Sequence, residues 1–328
     1  MTIRIGVMGC ASIARRRMLP AMAASSTIQI AAIASRNPDA ARTLSTTYGS
    51  IAVHGYANLL DGQNLDIGAV YIPLPAALHA EWTEAALNAG KHVLAEKPLS
   101  SSPSTTRRLL ELAHERGLVL MENVMFIHHS QHRTVRDLVS RGDIGEPRSF
   151  RAVFTVPKRP DDDIRLDPTL GGGALFDVGV YPVRAALHFQ DLLGGRLSVI
   201  GALLTSSGST VETAGDALLQ TAAGVGVHVS FGLDHAYAAS YTIHGTESAV
   251  TVNKAFTPTA DEPPAVTLGA THLRLPPDDQ VANTLEAFAA AITASRTTPP
   301  SPPPADSLRQ SELLDDIRTA ARRTRPQT

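Results

Sequence analysis

The sequence predicts an α/β protein in which a doubly wound parallel sheet is followed by an α+β domain with a mostly antiparallel open sheet. In the first 122 residues, apolar runs of about four to eight residues alternate with helical patterns, which is typical of parallel strands joined by crossover helices. After residue 122 the strand-like runs are clustered, which favours one mostly antiparallel sheet. We therefore expect one domain over residues 1–122 and another over residues 123–328.

The first domain is expected to consist of repeated strand–helix–strand units. Its strands are predicted at residues 3–8, 28–34, 69–72, 92–95 and 118–121. Its helices are predicted to end at residue 23 and to span residues 39–48, 76–89 and 103–116. Repeated units of this kind build a doubly wound sheet, which binds ligands beyond the carboxyl ends of its strands.

The second domain is expected to start with a helix at residues 130–141, a strand at 148–156 and a helix at 175–193. Short strands then follow at residues 197–204, 216–220, 226–231, 241–244 and 249–253. Two final helices, residues 278–295 and 307–323, are separated by a proline-rich connector at 297–304 that cannot continue a helix. The connector is short, so we expect the last helix to pack against the body of the protein.

Composition restricts the class of protein. Apolar residues make up 43% of the chain, charged residues 18%, and the net charge is −2, which gives no electrostatic basis for a nucleic-acid or acidic-membrane partner. No apolar run is long enough to span a bilayer, and the N-terminus lacks the pattern of a secretion signal. The single cysteine, Cys10, excludes an internal disulfide framework and a thiolate metal cluster. We expect a cytoplasmic protein without a bound metal.

A small-residue turn between the first strand and helix indicates a dinucleotide site. Residues 9–14 occupy the place of a G-x-G-x-x-G/A motif, with alanine at its second and third small positions. The glycine permits the tight turn, and small residues let backbone amides approach a pyrophosphate at the helix N-terminus. The pattern predicts a Rossmann domain whose loop residues bind cofactor; these are Gly9, Cys10, Ala11, Ser12 and Ile13.

The end of the second strand indicates which dinucleotide binds. An acidic residue there would bind the ribose 2′-hydroxyl of NAD, but this chain has Ser35 and Arg36 instead. A hydroxyl and a guanidinium favour a 2′-phosphate, and Arg36 also has a flat face on which adenine can stack. We therefore predict NADP(H) as the cofactor, against the alternative that Arg36 is an ordinary exposed arginine.

A lysine follows the predicted strand at residues 92–95. Glu96 and Lys97 stand at its carboxyl end, and Pro98 ends the regular structure and is compatible with a cis bond. In this place a lysine can hydrogen-bond the nicotinamide ribose and also donate to a substrate oxygen. The alternative is an exposed loop lysine. We predict that Lys97 is catalytic and that Glu96 and Lys97 belong to the cofactor site.

An aspartate and a tyrosine are spaced four residues apart in the predicted helix that begins at residue 175. Asp177 and Tyr181 would share one helix face, and Gly179 between them leaves room for a flat ring. Tyr181 can give its phenolic proton to a developing alkoxide, with the Lys97 cation stabilising the charge. Asp177 is better suited to orienting the substrate or Lys97. The alternative for Tyr181 is a half-buried packing residue.

The combined motifs resemble the glucose–fructose oxidoreductase/inositol dehydrogenase family over nearly the whole chain. The residues that carry the resemblance are Glu96-Lys97-Pro98, Gly171-Gly172-Gly173 and Asp177-x-Gly179-x-Tyr181. Most relatives have histidine where Tyr181 stands. Pro73-Leu74-Pro75, the segment around Phe126 and His128, and Asp163-Ile164-Arg165 are similar to the nucleotide-sugar 3-ketoreductases of deoxysugar pathways. The resemblance implies that Lys97 and Tyr181 are the catalytic pair and that the substrate is a dTDP-linked 3-keto-6-deoxyhexose.

The resemblance also implies further site residues. It places the segment with Phe126 and His128 near the sugar. His79 follows Pro73-Leu74-Pro75 at a strand end, so Pro73, Leu74 and His79 are predicted near the cofactor. His79 is equally well explained as a structural helix-start residue. Arg165 either neutralises a substrate diphosphate or pairs with Asp161, Asp162 and Asp163 beside it. His128, His129 and His132 have no zinc-motif spacing, so no metal is predicted there.

Three functions remain in competition at this point. The leading hypothesis is an NADP(H)-dependent sugar ketoreductase. A dehydrogenase of free sugars or trans-dihydrodiols would need no diphosphate recognition, and a catalytically silent NADP-binding regulator would use the same fold. The second face of the C-terminal sheet is expected to form a homodimer or homotetramer, as the resemblance implies.

Overall fold

The computed structural model describes residues 2–61, 65–294 and 303–324 of the 328-residue chain. Its internal contacts divide the chain into two units. The first unit contains Met1–Asn123 and Val281–Leu308, and the second contains Val124–Gln280 and Arg309–Thr328. The chain therefore enters the second unit at Val124, returns to the first at Val281, and enters the second again at Arg309.

The first unit contains a six-stranded sheet in which every strand pair is parallel. Its strands are β1 (Ile3–Met8), β2 (Ile28–Ser35), β3 (Ile51–His54), β4 (Ala69–Ile72), β5 (His92–Glu96) and β6 (Leu120–Asn123). The spatial order is β3-β2-β1-β4-β5-β6, so the direction of winding reverses between β1 and β4. The predicted Rossmann arrangement is confirmed, and the reversal is the place where such sheets bind ligands.

Helices connect these strands and continue into the second unit. In chain order they are α1 (Leu19–Ala24), α2 (Pro38–Tyr48), α3 (Ala57–Asp61), α4 (His79–Asn88), α5 (Pro103–Glu115), α6 (Ser130–Ser140), α7 (Val180–His188), α8 (Gln280–Thr293) and α9 (Pro304–Ala320). The core of the first unit packs sheet residues such as Val70 and Ile72 against Leu87 of α4 and Leu109 of α5. Among the helices that the structure describes, none combines the length and apolar character that crossing a bilayer requires.

Two of the predicted helices begin with a π-helical turn. The turn Ala14–Met18 precedes α1, and the turn Leu175–Gly179 precedes α7. In each case a proline follows closely, Pro20 in α1 and Pro182 in α7. Proline has no amide proton and its ring clashes with the carbonyl four residues earlier, so the preceding turn widens. The second of these turns contains Asp177 of the predicted site, and the first directly follows the predicted dinucleotide loop at residues 9–13.

The second unit contains a nine-stranded sheet that is mostly antiparallel, as predicted. Its strands are β7 (Pro147–Thr155), β8 (Leu197–Thr205), β9 (Ala214–Thr221), β10 (Gly226–Gly232), β11 (Ala238–Gly245), β12 (Ala249–Asn253), β13 (Ala265–Leu268), β14 (Thr271–Leu273) and β15 (Ala321–Thr324). The spatial order is β14-β13-β12-β11-β7-β10-β9-β8-β15. Parallel pairing occurs between β7 and β10 and between β8 and β15.

The structure corrects the sequence-based prediction at the sheet edges. The strands β3, β13 and β14 were not predicted, because each is only three or four residues long and forms through pairing at or next to a sheet edge. The last helix was predicted to reach residue 323, but α9 ends at Ala320 and β15 follows it. Pairing with the edge of β8 supplies hydrogen bonds that local helix preference cannot outweigh.

The last helix packs on the second unit, as expected. Leu313, Leu314 and Ile317 of α9 are completely buried in the same core as Leu197 and Leu204 of β8. The proline-rich connector predicted at residues 297–304 lies mostly outside the described residues.

Candidate active site

The glycine turn after β1 has the backbone conformation that a dinucleotide loop requires. Gly9 has φ +122°, and its amide donates to Ala34 O at 2.8 Å, at the end of β2. A Cβ atom at Gly9 would lie 3.0 Å from Leu74 Cδ2, in the segment that follows β4. The turn is therefore held close to the ends of both neighbouring strands, with no side chain between its backbone and a ligand.

Ser35 and Cys10 meet beside this turn. Ser35 is buried, its Oγ accepts the Asn37 amide at 3.1 Å, and its side chain hydrogen-bonds the Cys10 thiol. Burial raises the pKa of the Cys10 thiol, and the bond to Ser35 opposes that effect. A protonated thiol is a packing group and a poor nucleophile. Arg36, in contrast, is exposed at the same sheet edge.

The conformation of this strand end is set by the cap of the next helix. Asn37 precedes α2, and its Oδ1 accepts the amides of Asp39 at 3.0 Å and Ala40 at 3.2 Å. The cap and Pro38 fix where the helix begins. Ser35, the last residue of β2, and Arg36, which follows it, are thereby kept at the junction between β2 and α2.

The lysine motif lies at the carboxyl end of β5, as predicted. The Lys97–Pro98 peptide bond is cis, and Lys97 is half-buried. Glu96 is buried, and its Oε1 accepts Tyr71 Oη–H at 2.8 Å and Asn123 Nδ2–H at 2.6 Å. The Glu96 carboxylate is therefore fixed by residues from β4 and β6, the strands on either side.

His79 is almost completely buried, with 1% of its surface exposed. Its Nδ1 lies 2.7 Å from Pro98 O, and its Nε2 lies 2.7 Å from Leu74 O. His79 therefore connects the segment after β4 with the loop that carries Lys97. Pro73 and Leu74 lie in that first segment, at the carboxyl edge where the predicted cofactor residues meet.

Tyr181, in the first turn of α7, is held by three aromatic rings. The ring centroids of Phe154, Phe256 and Phe126 lie 4.8, 5.8 and 6.1 Å from that of Tyr181. Phe126 has no exposed surface, so it shapes this region by supporting Tyr181. Such contacts fix the direction of the phenol without using its hydroxyl.

Arg165 is paired with two carboxylates. Its Nε donates to Asp177 Oδ2 at 2.8 Å, and its Nη1 donates to Asp163 Oδ1 at 3.1 Å. The Asp177 carboxylate is the main cause that raises the pKa of Arg165. Of the two interpretations of Arg165, pairing with a neighbouring aspartate is therefore observed, with Asp177 as an additional partner.

The three-glycine turn brings its backbone against the Arg165 loop. The Gly172 amide donates to Asp167 O and the Gly173 amide to Arg165 O, both at 2.9 Å. A Cβ atom at Gly172 would lie 2.5 Å from Arg165 O and 2.7 Å from Asp167 O. Only a residue without a side chain allows this approach, so the turn positions Arg165 through its backbone.

We expect Gly172→Ala to destabilise the second unit by about 1–3 kcal/mol, because the new methyl group meets backbone carbonyls that cannot rotate away. Urea denaturation measures the free energy of unfolding. Gly201→Ala is the matched control, since a Cβ atom there meets nothing within 4 Å. Equal losses in the two variants would contradict the packing argument.

Gly179 packs against an aromatic ring of the sheet. A Cβ atom at Gly179 would lie 3.1 Å from the Phe231 ring, and one at Gly215 would lie 2.6 Å from the same ring. The flat ring therefore lies between two glycines, which lets the turn before α7 pack directly on the sheet.

Histidines at the start of α6 and the end of α7 have lowered basicity. Burial, followed by the charge of Arg184, lowers the pKa of His128 to about 4. Burial, followed by the charge of Arg136, lowers the pKa of His188 to about 4. His132 is completely buried, which sets its pKa well below the usual value, and its Nδ1 lies 2.8 Å from Tyr241 Oη. Across residues 2–61, 65–294 and 303–324, no group of three or more potential ligands is placed to hold a metal ion.

The structure thus assembles the predicted residues into two sets. The predicted cofactor residues meet at one edge of the first sheet, and Arg165, Asp177, Phe126 and Tyr181 lie in the second unit. Sequence reasoning missed the residues that hold these side chains in place; they are Tyr71, Glu122, Asn123, Phe154 and Phe256. Glu122 and Asn123 are polar residues at the end of a buried strand, and this pattern could have identified them. Nothing in the sequence distinguishes Phe154 and Phe256 from other phenylalanines.

A six-stranded Rossmann sheet with a glycine turn at its switch point, followed by a large open sheet, is the architecture of a nicotinamide-dependent oxidoreductase. The chain belongs to the GFO/IDH/MocA family. Residues 3–124 match the model of this oxidoreductase family with an NAD-binding Rossmann fold, and residues 132–251 match the family's C-terminal domain.

Individual relatives resemble the whole chain. The dTDP-3,4-didehydro-2,6-dideoxy-α-D-glucose 3-reductases of Actinomadura kijaniata and Streptomyces violaceoruber are each 47% identical to it. The first match covers 98% of this chain and 96% of the relative, and the second covers 97% and 95%. A crystal structure of a 3-ketoreductase from Actinomadura kijaniata with NADP and TDP-benzene has a TM-score of 0.94, with 45% identity over 100% of both chains.

Proposed function

We propose that this protein is an NADP(H)-dependent sugar ketoreductase that reduces the C3 ketone of a dTDP-linked keto-6-deoxyhexose. The observation that carries the proposal is the match, over 98% of this chain, to a reductase of that named activity. The retention of a lysine at the cofactor edge and of a fixed tyrosine supports a catalytic role over a silent regulatory one.

The cofactor is NADP(H), and the residues at the edge of the first sheet fit it. The open turn at Gly9 offers backbone amides to a pyrophosphate, and the absence of an acidic residue at the end of β2 leaves room for a 2′-phosphate beside Ser35 and Arg36. The remaining residues that we assign to the cofactor site are Cys10, Ala11, Ser12, Ile13, Pro73, Leu74, His79, Glu96 and Lys97. Bound there, NADPH supplies the hydride that reduces the ketone.

The chain's own residues supply the proton and the electrostatic stabilisation. Tyr181 donates its phenolic proton to the ketone oxygen, on which negative charge develops. The Lys97 ammonium stabilises that oxygen and the phenolate that remains. Because three rings hold Tyr181 from its sides, the hydroxyl keeps its direction while the charge develops.

The substrate is proposed to lie against residues of the second unit. Asp177 orients the sugar, and Arg165 holds the Asp177 carboxylate in place. Arg165 retains a charge that can also face a substrate diphosphate, since guanidinium groups bind phosphate well. The other proposed substrate-binding residues of this unit are His128 and Phe126. Phe126 acts through the Tyr181 ring, which it contacts.

Turnover with NADPH and a set of dTDP-keto sugars tests this function. The set includes an enzymatically generated 3,4-diketo sugar, and free sugars and trans-dihydrodiols are assayed in parallel. Fast NADPH oxidation only with the 3-keto nucleotide sugar supports the proposal. If free sugars or trans-dihydrodiols turn over with equal efficiency, a dehydrogenase of those compounds becomes the better assignment. Cofactor binding without any turnover would favour a regulator.

We expect Arg36→Gln to lower kcat/KM for NADPH by about 10- to 100-fold and to leave kcat/KM for NADH unchanged. The reason is the loss of a charge-assisted hydrogen bond to the 2′-phosphate, worth about 1.5–3 kcal/mol. Initial rates with both cofactors measure the effect. Arg42→Gln is the control, since Arg42 is an exposed arginine of α2 that pairs with Asp39. An equal loss of kcat/KM for NADPH and for NADH would rule out recognition of the 2′-phosphate by Arg36.

The proposal includes self-association through the solvent face of the nine-stranded sheet. Ile200, Leu203 and Leu218 are 58%, 38% and 39% exposed on β8 and β9, which leaves an apolar patch uncovered in one chain. A second copy of this chain is the proposed occupant, and sedimentation velocity distinguishes a monomer from a dimer or tetramer. The cytoplasmic location stays a prediction.

A further inference from the structure

One peptide group beside Lys97 is held at both ends by buried ionisable side chains. The carbonyl oxygen of Pro98 lies 2.7 Å from His79 Nδ1, and the amide of Leu99 donates to Glu122 Oε1 at 2.9 Å. These two atoms belong to the same peptide group. His79 and Glu122 are 1% and 4% exposed, so both interactions are shielded from water.

The environment of His79 determines its protonation state. Its other ring nitrogen, Nε2, faces Leu74 O at 2.7 Å, so both nitrogens face carbonyl oxygens. A carbonyl only accepts a hydrogen bond. A neutral imidazole has one N–H, and its second nitrogen would place a lone pair against an oxygen lone pair at this distance. Only the imidazolium satisfies both contacts.

The charges around the peptide group favour the same state. The oxygen of a peptide is the negative end of its dipole and the N–H is the positive end. An imidazolium at the Pro98 oxygen and a carboxylate at the Leu99 amide are therefore each complementary to the end that they bind. The N-terminus of α4, where His79 lies, and the burial of the ring both oppose a positive charge, whereas the two charge-assisted hydrogen bonds favour it.

We propose that His79, as an imidazolium, and Glu122, as a carboxylate, clamp the Pro98–Leu99 peptide and thereby position Lys97. This inference rests on the proposed role of Lys97. Glu96 is held on the other side by Tyr71 and Asn123, so the backbone is fixed both before and after the lysine. His79 and Glu122 are positioning residues, and His79 also ties the Leu74 segment to the same loop.

The protonation state is measured on the full-length protein labelled with ¹⁵N-histidine. At about pH 7.5, a free histidine with a pKa of about 6.5 is mostly neutral. We expect one ring, identified by its absence in His79→Gln, to carry a proton on both nitrogens. If that variant does not fold, Glu122→Gln identifies the same ring by shifting its signals. A single protonated nitrogen on His79 would overturn the clamp.

Kinetics test whether the clamp acts through Lys97. Glu122→Gln keeps an acceptor oxygen for the Leu99 amide, removes the charge and replaces the other carboxylate oxygen by an NH2 group. We expect it to lower kcat by about 10- to 100-fold through misplacement of Lys97, and to have no further effect on the residual rate of Lys97→Met. His114→Gln, an exposed change on α5, should leave kcat unaltered.

The two measurements separate this inference from the proposed function. If Glu122→Gln lowers kcat by the same factor in the wild-type protein and in Lys97→Met, the clamp does not act through Lys97. A failure of the wild-type protein to reduce any ketosugar would remove the proposed function, while the ring protonation of His79 would still decide the charged clamp.

Discussion

Tyr181→Phe is expected to lower kcat for the 3-keto sugar by about 10²- to 10⁴-fold, because the variant removes the proton that reaches the developing alkoxide. Phenylalanine keeps the ring contacts with Phe154, Phe256 and Phe126, so the free energy of unfolding should stay close to that of the wild type. Steady-state rates, together with urea denaturation, separate the chemical loss from a structural one.

The matched control for this prediction is Tyr237→Phe. Tyr237 lies in the same unit, is 50% exposed and hydrogen-bonds Thr257. The same chemical change there should leave kcat unaltered. Full turnover by Tyr181→Phe would show that the proton comes from another group, and we would then abandon Tyr181 as the general acid.

Acid is expected to unfold the second unit at a pH where many proteins remain folded. Burial lowers the pKa of His128 and His188 from 6.5 to about 4, and that of His132 well below 6.5. Below pH 6.5 the unfolded chain therefore binds more protons than the folded one, so stability falls as the pH falls toward 4. Each group contributes about 1.4 kcal/mol per pH unit in this window.

The size of this effect is a large part of the stability of a domain. His128 and His188 together are expected to cost on the order of 5 kcal/mol between pH 6.5 and 4, against a typical total of about 5–15 kcal/mol. Urea denaturation followed by circular dichroism from about pH 8 to pH 5 gives the dependence of the unfolding free energy on pH.

A pair of variants shows whether the buried histidines cause the acid sensitivity. His188→Gln should reduce the slope of unfolding free energy against pH by about 1.4 kcal/mol per unit, because one proton fewer is taken up on unfolding. His244→Gln, an exposed change on β11, should leave the slope unaltered. An unchanged slope in His188→Gln would assign the acid sensitivity to other groups.

The sequence was sufficient to place the predicted site residues that depend on local pattern. Gly9, Ser35, Arg36 and Lys97 were predicted at the sheet edge because each follows an apolar run that could be recognised as a parallel strand. The carboxyl ends of such strands meet at one edge whatever the loops contain. Tyr181 was predicted from its spacing to Asp177 and from the glycines around it, and its role stays a prediction.

The order of the second sheet and the support of the site depend on contacts between distant residues. Tyr71 and Asn123 reach Glu96 from 25 and 27 residues away, and β15 pairs with β8 after more than a hundred intervening residues. The residues next to Tyr71, Asn123 or β15 in the sequence do not predict these contacts. A phenylalanine beside Tyr181 has the same sequence character as a phenylalanine anywhere in the core.

His79 and Arg165 show which properties the sequence determined and which properties only the tertiary structure decided. The sequence determined that the protein has a Rossmann sheet with a lysine at its edge, and it left two interpretations open for each of these residues. The tertiary structure decided what they contact: two carbonyl oxygens for His79, and Asp163 and Asp177 for Arg165. The physical reason is that periodicity and strand ends are properties of neighbouring residues, whereas the charge and direction of a buried side chain are set by the groups that folding brings around it.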